Sequence, residues 1–304
     1  MIEVRNFTKR YGVHLAVDNI SFDAQPGEIV GLLGPNGAGK TTTMRVLTGY
    51  MPPTSGSVRV AGHDVMTESL EVRKRVGYLP ERVPVYPDMT VREFVQFWAK
   101  LRGVKKPNTQ TDAVLARFNL TDRKNMLVRS LSKGLRQRLG LAQALVHNPE
   151  VVILDEPTIG IDPQQVIEVR ENVRQLAKEH TVLFSTHILS EAEQVCDRVL
   201  IIRKGQIVAA GRPDELRQQL QPGENLYIAA DGGSKAALQQ MLMTVPGVSA
   251  VEAQGDGFIV RGDLGANIRG AISGQVTQAG YTLLELRPVA MTLEDIFLDI
   301  VGRA

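Results

Sequence analysis

The sequence predicts an α/β fold, in which a mostly parallel sheet is flanked by helices and followed by a small α+β domain. Strand-like and helix-like segments alternate through residues 1–215, and a glycine-rich loop joins a strand to a helix near the start. The remainder alternates as strand, helix, strand, strand, helix, strand, which is the order of a split-βαβ sheet. We therefore expect one large domain over residues 1–215 and an accessory domain over residues 216–304.

The composition is that of a globular chain without a disulfide framework. The 304 residues are 43% hydrophobic and carry a formal net charge of +2, so no nucleic-acid partner is expected. The single cysteine, Cys196, excludes an internal disulfide and is compatible with a reducing compartment. Because no apolar run approaches the roughly 18 residues that a membrane span needs, any membrane role should come through a partner.

The first strands lead up to the glycine-rich loop. Residues 2–7 alternate between apolar and polar and predict an edge strand, and residues 9–12 predict a turn that carries Tyr11. Residues 19–24 predict the next strand. Tyr11 has two open interpretations: an ordinary half-buried ring, or a face on which the adenine of a nucleotide stacks.

The glycine-rich loop is the strongest chemical signal in the sequence. It follows an apolar run over residues 28–33 and comprises Gly34, Pro35, Asn36, Gly37, Ala38, Gly39, Lys40, Thr41 and Thr42. Its glycines let backbone N–H groups turn around a polyphosphate, Lys40 can reach the outer phosphates, and the Thr41 hydroxyl can hold Mg²⁺. A helix predicted over residues 42–49 presents its N-terminus to the anion. The loop therefore predicts a site for a nucleoside triphosphate.

Residues 82–148 predict an all-helical insert. One helix is expected over residues 90–101 with Thr90 as its N-cap, and others over residues 108–118 and 135–147. The first of these helices has an apolar face that comprises Phe94, Phe97, Trp98 and Leu101. Core packing is the simplest explanation for this face.

Two buried strands end in polar residues that parallel-sheet geometry should bring together. Residues 151–154 carry Asp155 and Glu156 at their tip, where unpaired carboxylates are costly unless a metal or a reacting water uses them. Residues 181–186 end at His187. Because the carboxyl ends of parallel strands share one edge of a sheet, these side chains are expected near the glycine-rich loop.

Two further positions have both a functional and a structural explanation. Glu81 follows a strand predicted over residues 75–79, so it could reach a ligand or remain a solvated loop carboxylate. Ser132 and Gly134 begin the last helix of the insert, and a helix N-terminus can accept an anion. Capping of its own helix explains Ser132 equally well.

Five segments, in order along the chain, resemble the motifs of the nucleotide-binding subunits of ABC transporters. The glycine-rich loop is similar to the phosphate loop of that family. The other four segments, which are similar to the signature motif, the Walker B strand, the D-loop and the switch histidine, are residues 131–138, residues 151–156, residues 160–162 and His187. The resemblance covers residues 1–215 and implies the ABC-type P-loop NTPase fold, with an antiparallel β subdomain beside the parallel sheet and a helical insert.

The resemblance implies ATP hydrolysis with Mg²⁺. Lys40 and the loop backbone would cradle the phosphates, while Thr41 and Asp155 would hold Mg²⁺ directly or through water. Glu156 would polarise the attacking water, and His187 would contact the γ-phosphate and orient that water. The implied function is an ATPase subunit that powers a separate transmembrane permease.

The resemblance also implies partners. In this family two subunits sandwich ATP head to tail, so Ser132 and Gly134 would close on the nucleotide bound by a second copy. The expected partners are a second ATPase subunit, in a homodimer or a heterodimer, and integral-membrane permease subunits. This arrangement would hold the chain at the cytoplasmic face of the inner or plasma membrane. The permease would dock between Glu81 and Trp98, so part of the aromatic face could contact that partner.

The chain departs from the family pattern at two sites. Glu81 stands where Gln is usual, and the Lys-Gly-Leu of residues 133–135 stands where two Gly and a Gln are usual. Glu81 can still ligate Mg²⁺ or water, but its negative charge near the γ-phosphate predicts slow turnover. Together with residues 86–93, these variants resemble the ATPases of bacterial drug, sodium and polysaccharide exporters, most closely the gliding-motility-associated subgroup. Export is therefore expected.

The tail has a different charge balance from the rest of the chain. Residues 221–304 carry five Lys/Arg and nine Asp/Glu, and they contain no phosphate loop, metal-ligand spacing or nucleophile. A dimer-stabilising or regulatory role is expected, with a purely structural tail as the alternative. A last helix is predicted to begin at Thr292.

The sequence disfavours two rival functions. A soluble ABC ATPase acting on nucleic acid or the ribosome is disfavoured by the single ATPase domain and the small net charge. A non-hydrolytic ATP-binding scaffold or regulator is disfavoured by the presence of the full set of hydrolytic residues, namely Lys40, Asp155, Glu156 and His187.

Overall fold

The computed structural model of the chain describes residues 1–220, 224–263 and 266–289. The chain divides into two units, Met1–Pro213 and Asp214–Ala304. No helix in the described part is both long enough and apolar enough to cross a membrane.

The first unit alternates strands and helices. Its strands are β1 Ile2–Tyr11, β2 His14–Ala24, β3 Ile29–Leu33, β4 Ser55–Val60, β5 His63–Asp64, β6 Val76–Leu79, β7 Val151–Asp155, β8 Thr181–Thr186, β9 Arg198–Arg203 and β10 Gln206–Gly211. Its helices are α1 Lys40–Leu47, α2 Ser69–Arg75, α3 Val91–Leu101, α4 Pro107–Arg117, α5 Lys133–Leu145, α6 Pro163–Leu176 and α7 Leu189–Val195. A further helix, α8 Pro213–Leu220, begins where the first unit ends.

A six-stranded sheet in the order β10-β9-β3-β8-β7-β6 forms the centre of this unit. All neighbouring strands are parallel except β10, which pairs antiparallel with β9 at the edge. Strands β3, β7 and β8 are buried along their whole length, which explains why β3 and β7 are nearly continuous runs of aliphatic residues. The predicted α/β fold is thus confirmed, and the carboxyl ends of β3, β7 and β8 lie side by side.

A second sheet, in the order β2-β1-β4-β5, is entirely antiparallel and forms the expected β subdomain. The prediction that residues 2–7 form an edge strand is wrong, because β1 pairs with β2 on one side and β4 on the other. The turn predicted at residues 9–12 is also wrong. Strand β1 continues to Tyr11, which pairs with His14, so the two-residue turn is Gly12–Val13. Gly12 supplies the positive φ (55°) that this turn needs.

The helical insert contains α3, α4 and α5 with two short 3₁₀ turns, Thr121–Arg123 and Val128–Ser130. The predicted capping box of α3 is present: the Thr90 hydroxyl accepts from the Glu93 N–H, and the Glu93 carboxylate accepts from the Thr90 N–H at 2.8 Å. Phe94 is fully buried, whereas Phe97 and Trp98 are half-buried and stack edge to face with ring centroids 5.8 Å apart. Only part of the aromatic face is therefore core.

The second unit has its own core. Its elements are β11 Asn225–Asp231, α9 Lys235–Met243, β12 Val248–Gln254, β13 Gly257–Gly262, α10 Ile268–Gln278 and β14 Thr282–Pro288. The four strands form an antiparallel sheet in the order β12-β13-β11-β14, as the βαββαβ prediction requires. Residues such as Leu226, Val260 and Ile272 are completely buried. The helix predicted to begin at Thr292 lies outside the described residues.

The capping box gives a stability prediction. Thr90→Ala removes the side-chain acceptor at the start of α3, so we expect the free energy of unfolding to fall by about 1 kcal/mol. Thr90→Ser keeps the acceptor and should stay close to the wild type. Urea denaturation of the two variants measures the difference. Equal stability of Thr90→Ala and wild type would show that the cap does not contribute.

Candidate active site

The glycine-rich loop lies between the end of β3 and the start of α1. Gly39 is the N-cap of α1 and has a left-handed backbone with φ 108°. A Cβ on Gly39 would lie 2.6 Å from the carbonyl oxygen of Ala16, so a larger residue would be both strained and crowded. The residues at this helix start line an open space, where their backbone N–H groups could bind an anion.

That space is a cavity of about 370 Å³. Its lining brings together the loop and residues from distant parts of the first unit, including Tyr11, His14, Glu81 and Glu156. Tyr11 is 43% exposed, its hydroxyl donates to Met51 Sδ, and the ammonium of Lys9 lies 5.3 Å from its ring centroid. Sequence reasoning anticipated every one of these four except His14.

Lys40 is buried within the loop. Its ammonium donates to the carbonyl oxygen of Gly34 at 2.7 Å and lies 3.1 Å from Glu156 Oε1. The lysine and glutamate side chains are 6% and 7% exposed. Such a buried ion pair is stable only while both charges keep partners. Glu156 therefore holds Lys40 at the wall of the phosphate-loop cavity.

Asp155 and Glu156 are linked by the hydroxyl of Ser185. That hydroxyl donates to Asp155 Oδ1 at 2.7 Å and accepts from the Glu156 N–H at 3.0 Å. Asp155 pairs with Ser185 in the parallel register of β7 and β8, which brings the two side chains together. Burial raises the pKa of Asp155, and hydrogen bonds from Ser185 and Thr41 oppose that rise.

The environment of Asp155 fits a divalent cation. Its second carboxylate oxygen, Oδ2, is buried and has no hydrogen-bond partner, and the Thr41 hydroxyl lies within reach of the same side chain. No cluster of three or more His, Cys, Asp or Glu side chains suited to a metal occurs in the described residues. This sparse set is what Mg²⁺ uses when substrate phosphates complete its shell.

Glu156 also contacts His187. His187 Nδ1 lies 2.8 Å from Glu156 Oε2, so the imidazole and Lys40 hold opposite oxygens of one carboxylate. Glu156 has φ 49°, an uncommon conformation for a residue other than glycine. The bond from its N–H to Ser185 helps to maintain that backbone. The expected convergence of Lys40, the strand tip and His187 is therefore observed.

Ser132 and Gly134 lie away from the phosphate-loop cavity. Ser132 caps α5, accepting from the Leu135 N–H at 3.3 Å, and it lines a separate cavity of about 500 Å³. The side chain of Gln165 lies directly against Gly134. Glu81 lines both cavities. Within one chain, the two halves of the expected site are adjacent but do not form one pocket.

Several functional-site residues had not been singled out from the sequence. His14 and Ile159 line the phosphate-loop cavity, and nothing in their sequence context distinguishes them. Ser185 could have been found, because a serine inside a buried strand needs a polar partner and parallel register with the strand of Asp155 supplies one. Glu191 is a buried carboxylate behind the site that only tertiary structure reveals.

A phosphate loop with a buried lysine and two acids at the carboxyl edge of a parallel sheet defines a P-loop nucleoside triphosphatase. A family model described as ABC transporter matches residues 17–159. The uncharacterized ABC transporter ATP-binding protein YxlF of Bacillus subtilis (strain 168) is 37% identical over 303 residues, covering 99% of both chains. The bacitracin transport ATP-binding protein BcrA of Bacillus licheniformis is 35% identical over 305 residues, covering 99% of this chain and 97% of that protein.

Solved structures agree. One described as the ATP-binding subunit of an ABC transporter is 30% identical with a TM-score of 0.66, covering 72% of this chain and 92% of its own. The chain therefore belongs to the ABC transporter family, as an ATP-binding subunit, and it is an ABC ATPase.

Proposed function

We propose that this chain powers an exporter: two ATPase subunits close around ATP, and hydrolysis reopens them and drives a separate permease. The observation that carries the proposal is the buried Glu156 carboxylate between Lys40 and His187, at the wall of the phosphate-loop cavity. A carboxylate held there has the charge and position to act on a water beside a bound terminal phosphate. Lys40 and His187, which contact this carboxylate, lie in the motifs that are expected of an ABC ATPase.

Nucleotide binding is assigned to the loop and to Tyr11. Backbone N–H groups at the start of α1 and the ammonium of Lys40 would bind the phosphates, with Lys40 exchanging Glu156 for the phosphate oxygens. Tyr11 lines the same cavity and is 43% exposed, with the ammonium of Lys9 5.3 Å from its ring centroid. The adenine would stack on that ring.

Thr41 and Asp155 would hold Mg²⁺, with Glu81 as a further oxygen donor. Asp155 Oδ2 is buried and otherwise unpaired, which supports this assignment. When bound, Mg²⁺ would neutralise negative charge on the β- and γ-phosphates. Glu156 would take up a proton from the attacking water, and His187, fixed by that same carboxylate, would orient the water and the γ-phosphate.

A second copy would complete the site. Ser132 and Gly134 do not line the phosphate-loop cavity of their own chain, which supports their use on the nucleotide of a partner, identical or related. The domain boundary at residue 215 and a dimer-stabilising or regulatory role for residues 216–304 belong to this proposal. The second unit has a separate core, so it can act as an independent module.

Export is supported by the relatives. One of them is named for bacitracin transport and matches along almost the whole chain, and the variants at Glu81 and residues 133–135 resemble the exporter ATPases, most closely the gliding-motility-associated subgroup. A chain with no membrane-crossing helix in its described part would act at the cytoplasmic face of the plasma membrane through its permease.

A groove of about 1080 Å³ offers the docking surface for that permease. The groove combines apolar walls, including Trp98 and Leu101, with five cations and one acid, Glu71. The cations are Arg45, Arg73, Lys74, Arg82 and Arg102. Leu101 is 62% exposed. A short helix with an apolar face and acidic residues would cover Leu101 and complement the excess of positive charge.

Glu156→Gln tests the hydrolytic role. The change keeps the shape but removes the charge, so we expect phosphate release at saturating ATP to fall by about 10² to 10⁴-fold, the usual contribution of a general base. Binding of trinitrophenyl-ATP should persist. Glu252→Gln, the same change on an exposed residue of β12, is the control. A wild-type rate in Glu156→Gln would remove Glu156 from the mechanism.

Glu81→Gln tests the proposed slow turnover. Removing a negative charge near the γ-phosphate should raise the steady-state ATPase rate by about fivefold at low ionic strength, and by less at high salt. Glu81→Asp keeps the charge and should remain slow. Equal rates for Glu81→Gln and the wild type would contradict the hypothesis.

Trp98→Ala tests the docking surface. We expect the variant to fold, because Trp98 is only half-buried, but to lose most of its co-purification with the permease from detergent-solubilised membranes. The permease would be taken from the neighbouring open reading frame, if its hydropathy profile has about six spans. Met66→Ala, which shortens an exposed side chain (59%) outside the groove, is the control. Unchanged assembly of Trp98→Ala would exclude this surface.

A further inference from the structure

Glu191, on α7, is a buried carboxylate behind the nucleotide site. Its Oε2 accepts hydrogen bonds from the hydroxyls of Thr158 at 2.7 Å and Thr186 at 2.9 Å. The guanidinium of Arg170 lies 3.6 Å from its other oxygen. A carboxylate whose side chain is 2% exposed requires such partners, since burial of an unpaired charge is costly. Three groups therefore fix the position of Glu191.

The two threonines belong to the segments that carry the hydrolytic residues. Thr158 lies two residues after Glu156, in the loop that follows β7, and Thr186 directly precedes His187 at the end of β8. The Thr186 hydroxyl also accepts from the Ile188 N–H at 3.0 Å, which holds the backbone just after His187. One oxygen of Glu191 thus joins the Glu156 segment to the His187 segment.

Glu191, Thr158 and Thr186 together form a joint between the two segments, and none of the three lines the phosphate-loop cavity. Glu156 is in an uncommon backbone conformation, which persists only when its surroundings over-determine it. Ser185 holds the N–H of Glu156, and the bond from Thr158 to Glu191 holds the chain two residues later. The same oxygen anchors the residue before His187. Glu191 therefore holds both chain segments whose side chains meet in the direct contact between Glu156 and His187 (2.8 Å).

We propose that Glu191 is a positioning residue for ATP hydrolysis, which sets Glu156 and His187 relative to each other through Thr158 and Thr186. This inference rests on the hydrolytic roles proposed for Glu156 and His187. Small displacements of reacting groups lower the rate of the chemical step strongly. Because none of these three residues lines the phosphate-loop cavity, loss of the joint should lower kcat and leave nucleotide binding unchanged.

Thr158→Val is the most direct variant, because it removes one hydroxyl at nearly constant volume. We expect kcat of the full-length chain to fall about tenfold, the scale of one buried hydrogen bond to a charged group. The Kd for trinitrophenyl-ATP should stay within about twofold of wild type, and Thr158→Ser should restore kcat. Thr111→Val is the matched control, since Thr111 is equally buried but its hydroxyl has no partner. Unchanged kcat in Thr158→Val would overturn the inference.

A double-mutant cycle with His187→Ala separates this inference from the proposed function. If the joint acts through His187, Thr158→Val should have much less effect in the His187→Ala background than in the wild type. The same factor in both backgrounds would overturn the positioning role alone. Wild-type kcat in His187→Ala would instead overturn the hydrolytic role proposed for His187.

Discussion

The carboxylate of Glu156 is the interaction on which the nucleotide site of this ABC ATPase depends. It is almost fully buried, and its two oxygens face the ammonium of Lys40 and the imidazole of His187. A buried charge needs partners. Glu156, at the tip of β7, therefore contacts both the phosphate loop and the residue that follows β8. A nucleotide that recruits Lys40 would leave Glu156 paired with His187 alone, ready to act on water.

The two adjacent acids have different environments and so different chemistry. Asp155 accepts a hydrogen bond from the Ser185 hydroxyl on one oxygen and is unpaired on the other, and burial raises its pKa. That combination favours a nearby cation, which would stabilise the charged form of the carboxyl. Glu156 is paired with basic groups on both oxygens and turned by its unusual backbone toward the cavity. The two neighbouring acids are therefore suited to different roles, Asp155 as a candidate cation ligand and Glu156 as a candidate base.

Much of the fold could be predicted from local sequence, because its signals are local. Glycine spacing identified the phosphate loop, the Thr90 cap located a helix start, and aliphatic runs located the buried strands. Local sequence could not predict whether residues 2–7 form an edge strand or a central strand, because that depends on partner strands far along the chain. Glu191 was missed for a similar reason: its threonine donors come from two other elements, and only folding brings the three together.

Ser132, which we propose acts on the nucleotide of a second copy, lies outside the phosphate-loop cavity of its own chain. The proposed function therefore requires that ATP, and not ADP, bring two copies together. Sedimentation velocity of Glu156→Gln with saturating ATP is the most direct measurement, because this variant should hold ATP without cleaving it. We expect twice the 33.3 kDa mass of the chain with ATP and the single-chain mass with ADP. A single-chain mass at saturating ATP would contradict it.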